Sequence, residues 1–378
     1  MTNFEQLWLI KPLLSALDKK WYKEPSPIQA KSIPHILEGK DIFGCAQTGT
    51  GKTAAFALPI LQMLEARKHK SPKNDIKALI IAPTRELVSQ IGKSFEDYGK
   101  DLWFRTLNIF GGVNQFHQVA ALKRWIDILV ATPGRLLDLI NQWYIKLSSV
   151  DYFVLDEADR MLDMWFIRDI QKLIPHLPKV RQTMFFSATA APDIMKLAHT
   201  MLRNPVSVEV NPIASTAEKI KQSVYFVPKT NKSSLLKHIL KDQKIKHVLV
   251  FTRTKHGANK VAKDLNAFWI RTEAIHGNKS QSARERALEW FKNRSVSILV
   301  ATDIASRGID VDKLTHVINY DIPEVAENYV HRIGRTGRAW ESGEAISLCD
   351  TAERSYRKDI QKLIKKDIPV INDHPFLG

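Results

Sequence analysis

Cysteine is nearly absent from this sequence. Cys45 and Cys349 are the two among 378 residues, far apart and without metal-ligand spacing. That excludes a disulfide framework and a cysteine zinc site, and predicts reduced thiols in a cytoplasmic protein. Long apolar runs are missing too: no stretch of about 18 apolar residues occurs, and the N-terminus lacks a basic segment followed by an apolar core. The chain is therefore expected to be neither exported nor membrane-spanning. Acids are in deficit, 40 Asp and Glu against 56 Lys and Arg, for a net charge of +16. Such a balance suits a polyanion such as nucleic acid, although a generic basic surface gives the same sum. Glycine is scarce as well, at 16 residues, below its usual share of roughly 7%.

What is there begins with Ala46-Gln47-Thr48-Gly49-Thr50-Gly51-Lys52-Thr53. It follows an apolar run, Asp41 to Cys45, and opens a helical pattern, Ala54 to Leu64, the strand, loop and helix order of a phosphate-binding loop. Backbone N–H groups from Gln47 to Gly51 would cradle phosphates, Lys52 would meet the β/γ-phosphates of ATP, and the Thr53 hydroxyl would ligate Mg²⁺. Ala46 stands where the strict pattern has its first glycine. A Gly/Thr-rich turn before a helix is the bland alternative, so a metal-binding carboxylate is needed elsewhere.

Val154-Leu155 runs into Asp156-Glu157-Ala158-Asp159. An acid at the end of an apolar strand is where a carboxylate meets Mg²⁺, which singles out Asp156 as second metal ligand. Glu157 would orient and deprotonate the attacking water. Alone, these four residues read more often as a solvated helix start; paired with the loop at Lys52 they read as the other half of a nucleotide site.

Strand-like runs recur at Ala78 to Ala82, Thr106 to Phe110, Ile126 to Ala131, Tyr152 to Leu155 and Thr183 to Phe186, with helical patterns between most of them. That alternation predicts an α/β fold, a parallel sheet with helices on both faces and ligands at the carboxyl ends of the strands. The polar motifs follow the strands directly. Between Asn204 and Lys219 the pattern lapses into turn residues, read as a linker. A second lobe starts near Ile220, with strands near Val224 to Val227, Val248 to Phe251, Ile298 to Ala301, Val317 to Tyr320 and Ala345 to Leu348. The expected domains are residues 1–212, a linker at 213–219, and residues 220–378. Ile128 to Thr132 recurs as Ile298 to Thr302, and Thr84-Arg85 as Thr252-Arg253, at nearly one offset, which favours related lobes. The second lobe has no phosphate loop of its own. It carries His331-Arg332-Ile333-Gly334-Arg335-Thr336-Gly337-Arg338, whose guanidinium forks would either complete an ATP site or bind nucleic acid.

Together these motifs resemble the DEAD-box ATP-dependent RNA helicases of superfamily 2, over essentially the whole sequence from Phe4 to about Ile368. The resemblance implies two tandem RecA-like lobes. Glu24 to Gln29 resembles the family's Q motif, which implies that Gln29 reads adenine and Tyr22 flanks the base. It further implies that Arg335 and Arg338 are arginine fingers, that Asp310 contacts the ribose, and that Ser187, Thr189 and His331 couple hydrolysis to lobe closure. RNA backbone contacts are implied for Thr84, Arg85, Gly111, Gly112, Thr132, Pro133, Gly134, Arg135, Arg253, Thr302, Asp303, Arg307 and Gly308. Hydroxyls, amides and arginines suit phosphate and sugar and carry no base code. Hydrolysis would then drive local strand separation or ribonucleoprotein remodelling by a monomer, with ribonucleoprotein or ribosome-assembly partners and no membrane. The run Val250 to Asn259, with Ile275 to Gln281, most resembles the bacterial RhlE-type subgroup. Basic tails beyond the core are frequent there, so a C-terminal extension past Gly378 is an open expectation. A DNA-directed helicase and an ATP-gated RNA clamp are the alternatives, separable by which nucleic acid stimulates ATPase and by product release.

Eight tryptophans, Trp8, Trp21, Trp103, Trp125, Trp143, Trp165, Trp269 and Trp340, stand where the family pattern has glycine; Trp290, in a helical stretch, looks ordinary. Trp21, Trp143 and Trp269 each fall just after a helical pattern, where a left-handed glycine usually ends a helix. Restoring eight glycines would bring that residue to its usual share of about 7%. The expectation is that the source reads UGA as glycine and that the printed sequence renders UGA as tryptophan; genuine tryptophan at exposed turns is the alternative.

Overall fold

A computed structural model describes residues 3–47, 49–67, 75–164, 166–210, 220–242, 244–306, 314–336 and 343–376. The chain divides into two compact units, Met1–Val210 and Asn211–Gly378.

Unit 1 is built on seven parallel strands: β1 (Ile42–Ala46), β2 (Ala78–Ile81), β3 (Thr106–Ile109), β4 (Ile128–Ala131), β5 (Tyr152–Leu155), β6 (Gln182–Ser187) and β7 (Val206–Val210). Their order in the sheet is β3-β4-β2-β5-β6-β1-β7. The central strands are buried on both sides, which explains their unbroken apolar runs. Ile80, Val130 and Val154 share one core with Leu13, Ile33, Phe56 and Ile91 of the covering helices. Leu79, Leu129 and Phe153 point the other way, against Leu136, Met161, Ile170 and Leu197. Each such side chain contributes about 1.5–3 kcal/mol by leaving water, so both faces of the sheet are held by helices.

Unit 2 repeats the plan with β8 (Lys221–Phe226), β9 (Val248–Phe251), β10 (Thr272–Ile275), β11 (Ile298–Ala301), β12 (His316–Asn319) and β13 (Glu344–Cys349), all parallel, in the order β10-β11-β9-β12-β13-β8. Its sheet too is covered on both faces.

Two strands run against the sequence reading. Val206–Val210, inside the stretch read as linker, is β7 and pairs in parallel with β1. The turn signal of Asn204-Pro205 masked an alternation in which Val208 and Val210 are buried while Ser207 and Glu209 face out. β10, Thr272-Glu273-Ala274-Ile275, was missed because it is short and half polar. Residues 213–219 lie outside the described part.

Five of the eight anomalous tryptophans have left-handed backbones: Trp8 (φ 55°), Trp21 (61°), Trp103 (62°), Trp143 (63°) and Trp269 (62°). Their side chains are 70–96% exposed. Trp21, Trp143 and Trp269 close helices with paired Schellman bonds: Trp21 N donates to Asp18 O and Tyr22 N to Leu17 O, Trp143 N to Ile140 O and Tyr144 N to Leu139 O, Trp269 N to Asn266 O and Ile270 N to Leu265 O. Gly39, with φ 80°, ends the helix Pro27–Leu37 through the same two bonds. The backbone thus asks for glycine where the sequence prints tryptophan. Trp125 differs: it is not left-handed, and its indole Nε1 donates to Asp127 Oδ1 at 2.9 Å. Trp165 and Trp340 lie outside the described residues.

Candidate functional site

Strand order sorts the motifs of unit 1. Read across the carboxyl edge in the order β3-β4-β2-β5-β6-β1, the following residues are Gly111-Gly112, Thr132 to Arg135, Thr84-Arg85, Asp156-Glu157, Ser187 to Thr189, and the phosphate loop. Residues with backbone-binding chemistry occupy the first three positions and nucleotide chemistry the last three. Sequence order alone mixes them.

The phosphate loop leads from β1 into the helix Lys52–Arg67. Gly49 and Gly51 have φ of 85° and 90°. A Cβ on Gly51 would stand 2.4 Å from Gln29 Nε2, so only glycine admits the contact. Gln29 donates to Gly51 O at 3.1 Å and accepts from Ser26 N at 2.9 Å, capping the helix Pro27–Leu37. Each half of the amide keeps a second hydrogen-bonding position for an adenine edge. Tyr22 is 48% exposed. Lys52 Nζ donates to Ala46 O at 2.8 Å and Thr50 Oγ1 to Gln47 O at 2.7 Å. The Gln47 amide nitrogen is buried without a hydrogen-bond partner among the described residues. Thr53 lies in the first turn of the helix; Thr48 lies outside the described residues.

Asp156 is buried, and Oδ1 accepts from Glu157 N at 2.9 Å. Burial pushes its carboxyl up to about 6, against the opposing pull of the Lys52 charge. Glu157 sits in a left-handed conformation, φ 54°, a strain of the kind found where geometry serves function. Its Oε2 pairs with Arg160 Nη1 at 2.7 Å, both residues being 2% exposed. Arg160 was not foreseen, although its place three residues along a helix from Glu157 was a signal. Asp159 Oδ1 accepts from Ala188 N at 3.3 Å, and Ser187 Oγ from Thr189 N at 3.3 Å, so the acidic turn is tied directly to the Ser187-Ala188-Thr189 turn. Among the described residues no three His, Cys, Asp or Glu side chains form a metal cluster. One carboxylate and one hydroxyl fit the way Mg²⁺ is usually held on a nucleotide, by few protein ligands and the phosphates.

On the other half of the edge, Thr84 caps the helix Arg85–Tyr98, its Oγ1 accepting from Leu87 N at 3.3 Å. The Arg85 guanidinium lies over Gly112, φ 74°, where a Cβ would meet Nη1 at 2.0 Å. Thr132 and Pro133 begin the helix Pro133–Asn141, Arg135 Nε lies 3.6 Å from Asp138 Oδ2, and among the described residues Gly111 has open space where a Cβ would stand. Gly134 likewise has room, with Asp169 Oδ2 at 3.8 Å.

In unit 2, Thr302-Asp303 follows β11, Thr252-Arg253 follows β9, and the helix Ala326–Ile333 after β12 carries His331 and Arg332. Arg332, which sequence reasoning assigned no role, is buried and binds Asp303 with Nε at 2.6 Å and Nη2 at 2.7 Å. Its Nη1 donates to Asp321 O at 2.7 Å. Arg335 is 5% exposed, just beyond the helix, and His331 is half-buried. Arg253 Nη2 donates to Glu353 Oε1 at 3.0 Å and Ile322 O at 3.2 Å. Arg307, Gly308, Asp310 and Arg338 lie outside the described residues.

Comparison with known proteins decides the family. The DEAD/DEAH box helicase model matches residues 26–197 and the helicase conserved C-terminal domain residues 231–340. The DEAD-box ATP-dependent RNA helicase CshA of Bacillus cereus is 40% identical over 99% of this chain and 71% of its own length. The chain belongs to the DEAD-box ATP-dependent RNA helicases. RNA helicase CrhR of Synechocystis is 39% identical, over 98% of this chain and 74% of that one. The structure of Saccharomyces cerevisiae Dbp5 bound to RNA and ADP BeF3 matches with a TM-score of 0.87 and 28% identity, covering 98% of this chain and 96% of that one. The fold is therefore the tandem RecA-like arrangement expected, and the activity is that of an RNA helicase and RNA-stimulated ATPase. No helix among the described residues is long and apolar enough to cross a membrane.

Proposed function

We propose that this enzyme holds MgATP on Gln29, the loop Gln47 to Gly51, Lys52, Thr53 and Asp156, and the RNA backbone on Arg85, Gly111-Gly112 and Thr132 to Arg135. The observation that carries this reading is the sorting of those loops along one sheet edge. Lys52 would release Ala46 O and turn its ammonium to the β/γ-phosphates. Bound Mg²⁺ neutralises phosphate charge, with Thr53 and Asp156 as its protein ligands. Glu157, held in place by Arg160, accepts a hydrogen bond and then a proton from the attacking water. Asp159 carries the state of this turn to Ser187-Ala188-Thr189 through its bond to Ala188 N. Arg335, and Arg338 with it, supplies a bidentate fork to the transferring phosphate, Asp310 the ribose contact, and His331 the link to turnover.

In unit 2, Arg253, Thr302-Asp303 and Arg307-Gly308 extend the backbone track, and contacts to phosphate and sugar make binding sequence-independent. Turnover then requires both units, and the product of the cycle is local separation of a short duplex or displacement of a protein from RNA. We read the protein as a cytoplasmic monomer of the RhlE-type subgroup, with domains at 1–212 and 220–378 and ribosome-assembly or other ribonucleoprotein partners.

The test compares ATPase and strand separation on matched RNA and DNA duplexes. RNA alone should stimulate turnover, and Lys52→Ala should abolish unwinding. Equal stimulation by DNA, or wild-type turnover in Lys52→Ala, would overturn the assignment.

A further inference from the structure

Lys232 is the one lysine of its helix, Lys232–Ile239, that is fully enclosed, at 1% exposure. Three carboxylates converge on its Nζ: Glu353 Oε2 at 2.6 Å, Asp350 Oδ2 at 3.3 Å and Asp321 Oδ1 at 3.5 Å. They come from the segments that follow β12 and β13, at the same sheet edge as Thr252-Arg253 after β9. Three acids brought this close repel one another strongly in a medium of low dielectric, and the buried ammonium is what lets them stay together.

Two of these acids have a second task. Asp321 Oδ2 accepts from the backbone N–H of Arg253 at 2.8 Å, and Glu353 Oε1 accepts from Arg253 Nη2 at 3.0 Å. Glu353 Oε1 also accepts from Ile322 N at 3.2 Å. The Arg253 guanidinium carbon stands 5.6 Å from the centre of the Tyr356 ring, and Nη1 is 3.5 Å from the exposed Glu324. Its side chain nevertheless remains 40% exposed. An arginine has five N–H donors, and among the described residues this guanidinium hydrogen-bonds through Nη2, so donors remain for a phosphate oxygen. Asp321 also reaches Arg332 through its carbonyl, so the same cluster abuts the Arg332–Asp303 pair.

We propose that Lys232 is a positioning residue for RNA binding: its ammonium gathers Asp321 and Glu353, which fix the backbone and the guanidinium fork of Arg253 in the pose that receives an RNA phosphate. The inference rests on the reading of Arg253 as an RNA contact. Burial pushes the Glu353 carboxyl up, and the Lys232 charge is the largest influence opposing it. Removing the lysine alone leaves its acids close together and uncompensated, so a purely stabilising lysine would also be costly to replace; its loss, however, would not act selectively on RNA.

The experiment measures ATPase of the full chain across a titration of single-stranded RNA, for Lys232→Met, Arg253→Ala and the double variant. Lys232→Met should raise the RNA concentration for half-maximal turnover about ten-fold, the scale of one charge-assisted hydrogen bond. RNA-free ATPase and turnover at saturating RNA should stay within about two-fold. Arg253→Ala should raise the half-saturating RNA concentration at least as far, and the double variant no further than Arg253→Ala alone, because both act through one contact. Should Lys232→Met not fold, Glu353→Gln keeps the shape, removes the charge, and should raise the half-saturating RNA concentration likewise. Unchanged half-saturation in the lysine or glutamate variant, or additive losses in the double variant, overturns the positioning role while leaving Arg253 as an RNA contact. An Arg253→Ala enzyme with wild-type RNA dependence overturns the underlying reading instead.

Discussion

Arg160 Nη1 stands 2.7 Å from Glu157 Oε2, and both side chains are 3% exposed. A buried charge that loses its partner is costly, whereas a neutral group of the same shape is not. Arg160→Ala should therefore destabilise unit 1 by about 3–5 kcal/mol, the usual range for breaking a buried pair, read as a fall in denaturation midpoint. Glu157→Gln removes the opposite charge but keeps an acceptor for Arg160, so it should cost less stability than Arg160→Ala, and the folded enzyme should bind ATP and fail to hydrolyse it. RNA should then be held more tightly with ATP than without. An Arg160→Ala protein as stable as wild type, or a hydrolysing Glu157→Gln enzyme, contradicts this account.

Arg335 belongs to unit 2 and the phosphate loop to unit 1. As a finger it must lose function when its planar fork becomes a point charge, so Arg335→Lys should cut turnover at saturating RNA on the order of a hundred-fold or more. The half-saturating RNA concentration should barely move. The reverse pattern, full turnover with weakened RNA dependence, would leave Arg335 as an RNA contact only.

Three histidines of unit 2, His247, His276 and His316, are held below the ordinary histidine value, burial being the largest cause in each. His247 packs edge-on to Phe291 with ring centres 4.1 Å apart, and neither ring nitrogen has a hydrogen-bond partner among the described residues. As pH falls below about 6.5 the unfolded chain takes up these protons first, so the stability present above that value is lost towards the lower folded-state values. Thermal melts should show a lower midpoint at about pH 5.5 than at about pH 7.5, and His247→Leu should narrow the gap. A gap of the same size in His247→Leu would remove His247 from the explanation.

Glycine at positions 8, 21, 103, 143 and 269 would relieve roughly 1–2 kcal/mol of left-handed strain at each. Peptide mass spectrometry of protein from its native source should find glycine there, encoded by UGA. In protein made with tryptophan, Trp21→Gly and Trp143→Gly should each raise the melting temperature. UGG codons and tryptophan masses at these positions would end the idea, and Trp125, with its indole bonded to Asp127, is the position where tryptophan fits the structure.

Much of the fold was legible because buried parallel strands write themselves as unbroken apolar runs: β5, β9 and β11 fall on the residues read from the sequence. β7 was lost because an edge strand alternates and so resembles a polar connection. At the candidate site, the residues proposed to touch ligand carry motifs and can be named from the sequence. Arg160, Arg332 and Lys232 could not, since their chemistry lies in partners brought close by the fold, Glu157, Asp303 and Glu353, and spacing along the chain shows only the first of these pairs. The sorting of the loops proposed for RNA and for nucleotide along the sheet edge was also hidden, because it depends on β2 entering between β4 and β5.

β7 is hydrogen-bonded to β1 from Ile42 opposite Val206 to Ala46 opposite Val210, and it is the last element of unit 1. Both strands end at the same edge, one running into the phosphate loop and the other leaving the unit. A pull along the departing chain therefore loads that ladder in shear, with its bonds strained together rather than opened one at a time. The strand that leads into the phosphate loop is in this sense the anchor of a tether, and tension on the end of β7 would be borne by the strand that carries that loop.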